Sequence, residues 1–171
     1  MDRGSEVTGI EIAAQLICLA ARTAPKARGK DNLIVRILAG ENKEALARKM
    51  EEIGEKYNPR IFKRDAQNVR QATLIILLGS KTDVMNLDCG FCGYSTCEEL
   101  KKTHGHCAYV AGDLGIAIGS AVSKAADLRV DNRIMYSAGY AALKSGLMGD
   151  AKMVFGLPLS GTGKNPFFDR K

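Results

Sequence analysis

Ala72–Gly79 has the sequence ATLIILLG, the most apolar strand-like run in the chain. An uninterrupted run of branched apolar residues, without the alternation of a half-exposed strand, is typical of a strand buried on both faces. We therefore predict a buried strand over Ala72–Leu78. The run is far too short to cross a bilayer as a helix, so it belongs inside a globular domain.

Helices and strands are predicted on both sides of this strand. Before it we expect a helix over Thr8–Arg22, a strand over Asn32–Leu38 and a helix over Asn42–Tyr57. After a cysteine-rich loop we expect a helix over Asp113–Leu128, a helix from Asp131–Asn132 to Ser145 and a strand over Lys152–Leu157. This order predicts one α+β domain over residues 1–171, a sheet covered by helices, with the loop at 80–110 inserted in it.

Four local features of the helices carry further expectations. Thr8 and Glu11 match a capping box, and the helix that follows is apolar nearly all round, which predicts that it is largely buried. Asp113 is placed to cap the next long helix. Gly119 is costly in a helix interior unless a neighbour approaches closely, so we expect it to contact another element. Cys18, within the first helix, is interpreted as a small core residue.

Composition and charge restrict the classes of function. Hydrophobic residues make up 46% of the chain and charged residues 26%, with a net charge of +6, which is the balance of a soluble globular protein. The amino terminus MDRGSE lacks the apolar core of a signal peptide. We therefore expect a cytoplasmic protein with no membrane partner. The basic balance alone does not predict a nucleic-acid partner.

Four of the five cysteines cluster in the loop, as Cys89-x2-Cys92-x4-Cys97-x9-Cys107. In a reducing compartment such a cluster indicates a metal site before it indicates disulfides. A 4Fe-4S cluster needs four thiolates from a chain that wraps it closely. Gly90 and Gly93 directly follow the first two cysteines and permit the positive φ angles that wrapping requires. The pattern predicts a 4Fe-4S cluster held by these four cysteines.

Other interpretations of the same residues remain open. A structural zinc ion usually takes two closely spaced ligand pairs, whereas here three cysteines crowd together and the fourth stands apart. His104 or His106 could replace Cys107 in a mixed zinc site. A redox disulfide pair or incidental thiols are the remaining alternatives. Hydrolytic chemistry has little support, because the only two histidines lie inside this loop.

The loop and three other segments carry a family resemblance. NLDCGFCGYSTC resembles the core of 4Fe-4S domains in electron-transport and corrinoid proteins, although the fourth cysteine follows sooner here. Together with AARTAPKARGKDNL, DLGIAIGSAVSKAADLRVDNRIMYSAGYAAL and GLPLSGTGKNPFFDR, the loop resembles a prokaryotic family described only as ferredoxin-domain proteins of unknown function. That resemblance implies a cluster and names no reaction.

A second resemblance is to the FMN-dependent nitroreductases. AARTAPKARG, the helices over Asp113–Ala142 and GLPLSGTGK occupy places similar to those of the flavin-phosphate segment, the helix pair and the final strand of that family, although the usual Arg-Arg-Ser opening is missing. The resemblance implies a nitroreductase-like fold, a homodimer and an FMN cofactor. On its basis, and because both segments are basic, Arg22 and Lys26 with Lys164 or Arg170 are the candidates to hold the flavin phosphate.

These observations lead to one preferred function and one alternative. We expect an iron–sulfur protein that acts in electron transfer or in redox chemistry coupled to a flavin and, if it is an enzyme, an oxidoreductase. The alternative is a non-enzymatic, zinc-stabilised module that binds a nucleic acid or protein partner. The donor, acceptor and substrate are not encoded in any motif of the sequence.

Overall fold

The structure is a computed structural model that describes residues 4–81 and 84–168. Its helices are α1 (Ser5–Thr23), α2 (Gly40–Tyr57), α3 (Pro59–Gln71), α4 (Cys97–Lys101), α5 (Ala108–Asp127) and α6 (Tyr136–Lys144). Its strands are β1 (Leu33–Leu38), β2 (Leu74–Ser80), β3 (Asp131–Asn132) and β4 (Met153–Ser160). This mixture of helices and strands is the predicted α+β architecture.

The strands form one antiparallel sheet in the order β1-β2-β4-β3. All seven residues of β2 are buried, which confirms the strand predicted from the apolar run. Ile76 lies at its centre, opposite Ile37 of β1 and Leu157 of β4. Runs of this kind are usual in parallel sheets. Here an antiparallel strand has the same composition because helices cover both faces of the sheet.

Successive side chains of β2 enter two separate cores, as the alternation along a strand requires. Leu74, Ile76 and Leu78 pack with α1 and α5 on one face. Ile75 and Leu77 pack with α2, α3 and α6 on the other. The sheet is therefore the middle of three layers, and the residues between β2 and α5 form a third, smaller apolar cluster.

Helix α1 differs from the prediction in its burial and in its cap. It begins at Ser5 after Gly4 without a side-chain cap, so the capping box expected at Thr8 is wrong. One side of the helix is buried, whereas Ile12, Leu16 and Leu19 are exposed. An apolar helix surface left in water by one chain is unusual in a monomer.

The bounds of three other elements also differ from the prediction. The sequence of Arg60–Arg70 is ambiguous and indicates at most a short helix after Asp65, whereas the whole segment lies in a full helix, α3. Helix α5 begins at Ala108 with Cys107 as its N-cap, so Asp113 lies inside the helix. Asp131–Asn132 does not open a helix but forms the short strand β3, which pairs with β4. The loop expected over 80–110 contains α4 and the first turn of α5.

The glycine required by a close approach is not the predicted one. A Cβ atom added to Gly119 would meet nothing within 4 Å, so the expected contact is wrong for the single chain. A Cβ atom on Gly139 would lie 1.8 Å from the carbonyl oxygen of Val154. The close packing of α6 onto β4 therefore depends on Gly139, whereas Gly119 lies on an open surface.

Candidate iron–sulfur site

Two glycines shape the loop that carries the first two cysteines. Gly90 has φ +73° and Gly93 has φ +86°, angles that L side chains rarely adopt. The N–H of Gly93 donates to the carbonyl of Gly90 at 2.9 Å. A Cβ atom on either glycine would meet nothing within 4 Å. The backbone angle, and not the space, therefore requires glycine at both positions.

The other two cysteines are held at the starts of helices. Cys97 is the first residue of α4, where Thr96 and Glu99 form a capping box. The N–H of Cys97 donates to Oδ1 of Asp88 at 2.6 Å. Cys107 is the N-cap of α5. Cys97 and Cys107 are buried, whereas Cys89 and Cys92 are half-buried.

All four cysteines line one cavity. Its wall also includes Met85, Leu100 and Tyr109, which are largely apolar. In the segments 4–81 and 84–168, no three Cys, His, Asp or Glu side chains converge closely enough to hold a metal ion. The four sulfurs therefore share a cavity but must move towards a common centre to ligate a cluster there. As a donor set, four thiolates fit a 4Fe-4S cluster.

The two histidines of the loop take no part in the cavity wall. His104 and His106 are both exposed, and neither lines the cavity that the four cysteines share. In a mixed zinc site, a histidine would replace Cys107 as a ligand. Cys107 would then have to leave its buried position at the N-cap of α5. The geometry therefore favours the set of four cysteines.

The fifth cysteine provides a contrast within the same molecule. Cys18 packs against the core between α1 and the sheet. Burial raises the pKa of its thiol to about 11, against an opposing effect of Arg22. A thiol with this pKa stays protonated near neutral pH and is a poor metal ligand. Cys18 is a core residue, as its place in the helix predicted.

The basic loop after α1 is tied to the cysteine loop. Nη1 of Arg28 donates to the carbonyl of Met85 at 2.9 Å. The N–H of Ala27 donates to both carboxylate oxygens of Asp113, each at 3.0 Å. Sequence reasoning missed both contacts, since they join residues 57 and 86 positions apart. They fix the basic loop against the wall of the cysteine cavity and the start of α5.

Within one chain, Arg22 and Lys26 are engaged in local contacts. Nη1 of Arg22 donates to Oδ2 of Asp31 at 2.7 Å and to the carbonyl of Leu33 at 2.8 Å. Nζ of Lys26 donates to the carbonyls of Arg22 at 2.6 Å and Ala24 at 2.9 Å, so it caps the end of α1. A phosphate would have to share or replace these contacts.

The second basic segment lies near the other end of α1. A Cβ atom on Gly161 would lie 2.9 Å from Cδ1 of Ile10, so the tail leaves β4 beside the amino-terminal half of α1. Arg22 follows Ile10 by twelve residues, or about 18 Å of helix. Lys164 is exposed in the tail, and Arg170 lies outside the described residues. Among the described residues, one chain alone does not bring Arg22 and the tail as far as Phe168 together.

Solved structures of low sequence identity share the fold. Nitroreductase CinD from Lactococcus lactis, in complex with nicotinic acid, is 18% identical, with a TM-score of 0.62, over 93% of this chain and 84% of that one. A BluB-like flavoprotein from Clostridium difficile 630 is 18% identical, with a TM-score of 0.55, over 96% and 87%. The FMN-dependent nitroreductase NfnB from Mycobacterium smegmatis, in complex with NADPH, is 11% identical, with a TM-score of 0.60, over 90% and 78%. The protein has the nitroreductase fold.

The family is shown by sequence. An uncharacterized protein from Archaeoglobus fulgidus is 44% identical over 171 residues, covering 95% of this chain and 92% of that protein. Residues 103–170 match the family described as "Uncharacterized protein containing a ferredoxin domain (DUF2148)". The chain belongs to this family of ferredoxin-domain proteins. The matched segment includes Cys107, and the other three cysteines precede it.

Among residues 4–81 and 84–168, none of the helices combines the length and the apolar character needed to span a bilayer.

Proposed function

We propose that Cys89, Cys92, Cys97 and Cys107 hold one 4Fe-4S cluster, and that the protein acts in electron transfer or in flavin-coupled redox chemistry. The observation that carries the proposal is that all four cysteines line a single cavity. The family description, which names a ferredoxin domain, supports it. When bound, such a cluster supplies one-electron redox chemistry.

The protein around the cavity has three tasks in this proposal. The four thiolates bind the metal. The buried side chains of Met85 and Leu100 exclude water from the inner wall, and low solvent access influences the reduction potential of such a site. Phe91 is 73% exposed and stacks on Tyr109 with ring centroids 5.7 Å apart. This aromatic pair forms the rim, where a redox partner would approach.

Metal and sulfide analysis of anaerobically purified protein tests the proposal. We expect iron and acid-labile sulfide near four of each per chain, with the brown colour of an iron–sulfur protein. Stoichiometric zinc without sulfide would contradict it, because four thiolates also suit a structural zinc ion. That result would favour the alternative, a zinc-stabilised module that binds a nucleic acid or protein partner.

We propose further that the protein is a homodimer joined through α1 and α5. Four large apolar side chains are exposed on this pair of helices: Ile12 at 54%, Leu16 at 42%, Leu19 at 57% and Ile116 at 50%. Over residues 9–21 and 112–123, every exposed residue is uncharged. In a chain with 26% charged residues, such a surface indicates contact with protein.

The dimensions of this surface suit a second copy of the chain. Helices α1 and α5 pack side by side and present a face roughly 30 Å long and 20 Å wide. A stable interface of standard size buries about 800 Å² per partner, so the face is of comparable extent. Open glycine positions along α5, at residues 112, 115 and 119, leave room for another helix.

A dimer also gives the flavin hypothesis a geometry. If α1 crosses its copy antiparallel about a two-fold axis, Arg22 and Lys26 come beside Lys164 of the partner subunit. We propose that these groups hold the phosphate of an FMN at the dimer interface. FMN dependence is stated for NfnB, one of the proteins of like fold, and this resemblance supports the choice of ligand.

Titration of the reconstituted protein with FMN tests this second proposal. Charge-assisted hydrogen bonds contribute roughly 1.5–3 kcal/mol each, so Arg22→Ala and Lys164→Ala should each weaken binding about tenfold or more. Lys164→Ala is the cleaner variant, because Arg22 also contacts Asp31 and Leu33. Arg48→Ala, on the exposed side of α2, is the charge-matched control. The absence of binding at micromolar FMN would refute this proposal and leave the cluster assignment unaffected.

A further inference from the structure

A groove lies on the face of the sheet opposite α1 and α5, between α3 and the chain that follows β4. It is open to solvent. Arg60, Arg64 and Asn68 line it from α3. They are four residues apart in turn, so they form one stripe along the helix. Arg133 and Phe168 line the groove from the other side.

The charge of this groove is positive and only partly compensated. Among the described residues that line it, none is acidic. Arg64 contacts the carboxylate of Asp65, with Nη2 at 2.7 Å from Oδ1. Arg133 donates to the carbonyl of Phe167 at 3.0 Å and lies over the ring of Phe168, 5.1 Å from its centroid. Arg60 contacts no acceptor in the described part of the chain. Two guanidinium groups therefore face the groove without a carboxylate partner.

The two engaged arginines are also fixed in position. The buried carboxylate of Asp65 accepts a hydrogen bond from the hydroxyl of Ser137 in α6, at 2.5 Å. This hydrogen bond fixes Asp65, and Asp65 in turn fixes Arg64. Phe167 is buried in the core and anchors the carbonyl that holds Arg133. Guanidinium groups that are fixed before a ligand arrives lose little entropy when they bind it.

The side-chain amide of Asn68 adds a neutral donor and acceptor to the groove. Asn68 is only 8% exposed and lines the groove. Its side chain makes no hydrogen bond to any described residue, although its backbone carbonyl accepts one from Ala72. Among the described residues, no buried side-chain nitrogen or oxygen lacks a partner, so the small exposed part of Asn68 includes its amide atoms, which border the groove.

We propose that this groove binds the phosphate group of a small molecule. Arginine forks match the oxygen geometry of phosphate and bind it with two parallel hydrogen bonds. Two uncompensated guanidiniums offset the nearly two negative charges of a phosphate group. The amide of Asn68 adds a neutral donor, and Ile61 and Phe168 offer apolar surface beside the anion. The site is separate from the cysteine cavity and does not depend on the cluster.

Calorimetric titration of the full chain with inorganic pyrophosphate, and in parallel with AMP, tests the site. We expect binding of at least one of these anions, weakened about tenfold or more in Arg60→Ala. Asn68→Asp keeps the shape of the side chain and places a negative charge in the groove, so it should abolish binding. Arg48→Ala removes the same charge from the exposed side of α2 and should leave the affinity unchanged.

The outcomes separate a specific site from general attraction. Binding lost in Arg60→Ala and kept in Arg48→Ala supports the proposal, and preference for AMP or pyrophosphate tells whether the phosphate is on an organic molecule. Equal weakening by the two arginine variants would overturn it, as would no binding of either anion at millimolar concentration. Arg60 makes no hydrogen bond or ion pair with any described residue, so its loss should not unfold the protein, and circular dichroism checks this.

Discussion

The two helical layers that cover the sheet differ in what they present outwards. The outer side of α2 and α3 carries ion pairs, including Lys63 with Glu55 and Arg70 with Glu44 and Glu51. On the outer side of α1 and α5, every exposed residue within 9–21 and 112–123 is uncharged. Ion-paired helix surfaces are suited to water, whereas an uncharged apolar surface is suited to contact with protein.

The same contrast extends to the candidate sites for redox cofactors. Cys107 begins α5, and the basic loop that follows α1 is bound to the cysteine loop through Arg28 and to α5 through Asp113. The α1 and α5 layer thus combines the cysteine cavity, the basic loop and the uncharged surface. The α2, α3 and α6 layer supports the sheet and holds the separate arginine groove.

The largest expected effect is on metal content. It is measured by comparing variants of two cysteines that lie in the same layer. Cys92→Ala removes one of the four proposed ligands, so iron and acid-labile sulfide should fall to a small fraction of the wild-type content. Cys18→Ala removes a thiol whose pKa burial raises to about 11, and its metal content should stay at the wild-type level. Anaerobic iron and sulfide analysis measures both, and an equal loss in the two variants would show that the cavity is not the site.

The next effect is on association and compares the two outer surfaces directly. Leu19→Glu places a charge on the uncharged face, where each chain would bring it into the interface, so the dimer dissociation constant should rise about a hundredfold or more. Ala45→Glu adds the same charge to the exposed side of α2 and should leave the dimer intact. Sedimentation velocity distinguishes the two results. A wild-type protein that is monomeric at micromolar concentration would rule out this interface.

The smallest effect is on stability and concerns the water-facing layer. Arg70 joins α3 to α2 through hydrogen bonds to Glu44 at 3.1 Å and Glu51 at 2.6 Å. The groups are partly exposed, so Arg70→Ala should lower the free energy of unfolding by about 1 kcal/mol, as expected for a small network. Arg48→Ala, which breaks no ion pair, should change it by less. Urea unfolding of both variants measures the difference.

The same ion pair should respond to acid. The hydrogen bond from Arg70 holds the pKa of Glu51 below its ordinary value of 4.5, against a smaller opposing effect of burial. A carboxyl group with a lowered folded-state pKa stabilises the fold above its unfolded pKa, and this contribution is lost as pH falls through the folded value. The stability difference between wild type and Arg70→Ala should therefore be constant near neutral pH and shrink below about pH 4.5.

Local patterns predicted those elements whose burial follows from one chain alone. The apolar run of β2 indicated a strand buried on both faces, and the structure confirms it. The prediction that α1 is largely buried was wrong, because an apolar pattern does not distinguish a core from a surface that another protein would cover. Helix α3 was ambiguous because Asp65 and Asn68 lie on its buried side, where polar residues interrupt the apolar period.

Some features of the candidate site were predictable from local sequence patterns, and others were not. Cysteine spacing and two glycines indicated the four residues that share the cavity, since these features lie close together in the sequence. The contacts of Arg28 with Met85 and of Asp113 with Ala27 had no local signal, because they depend on how distant elements meet. Whether the two basic segments meet depends on a second chain, which no pattern within one sequence describes.

The unequal burial of the four cysteines has a consequence for how the cavity would be filled and emptied. Cys97 and Cys107 are buried and held by helix starts that need no metal, whereas Cys89 and Cys92 are accessible on a glycine-shaped loop. An incoming cluster would reach the accessible pair first and the buried pair afterwards. Oxidants would reach the same outer pair first, so damage and repair would both begin at the surface of the loop.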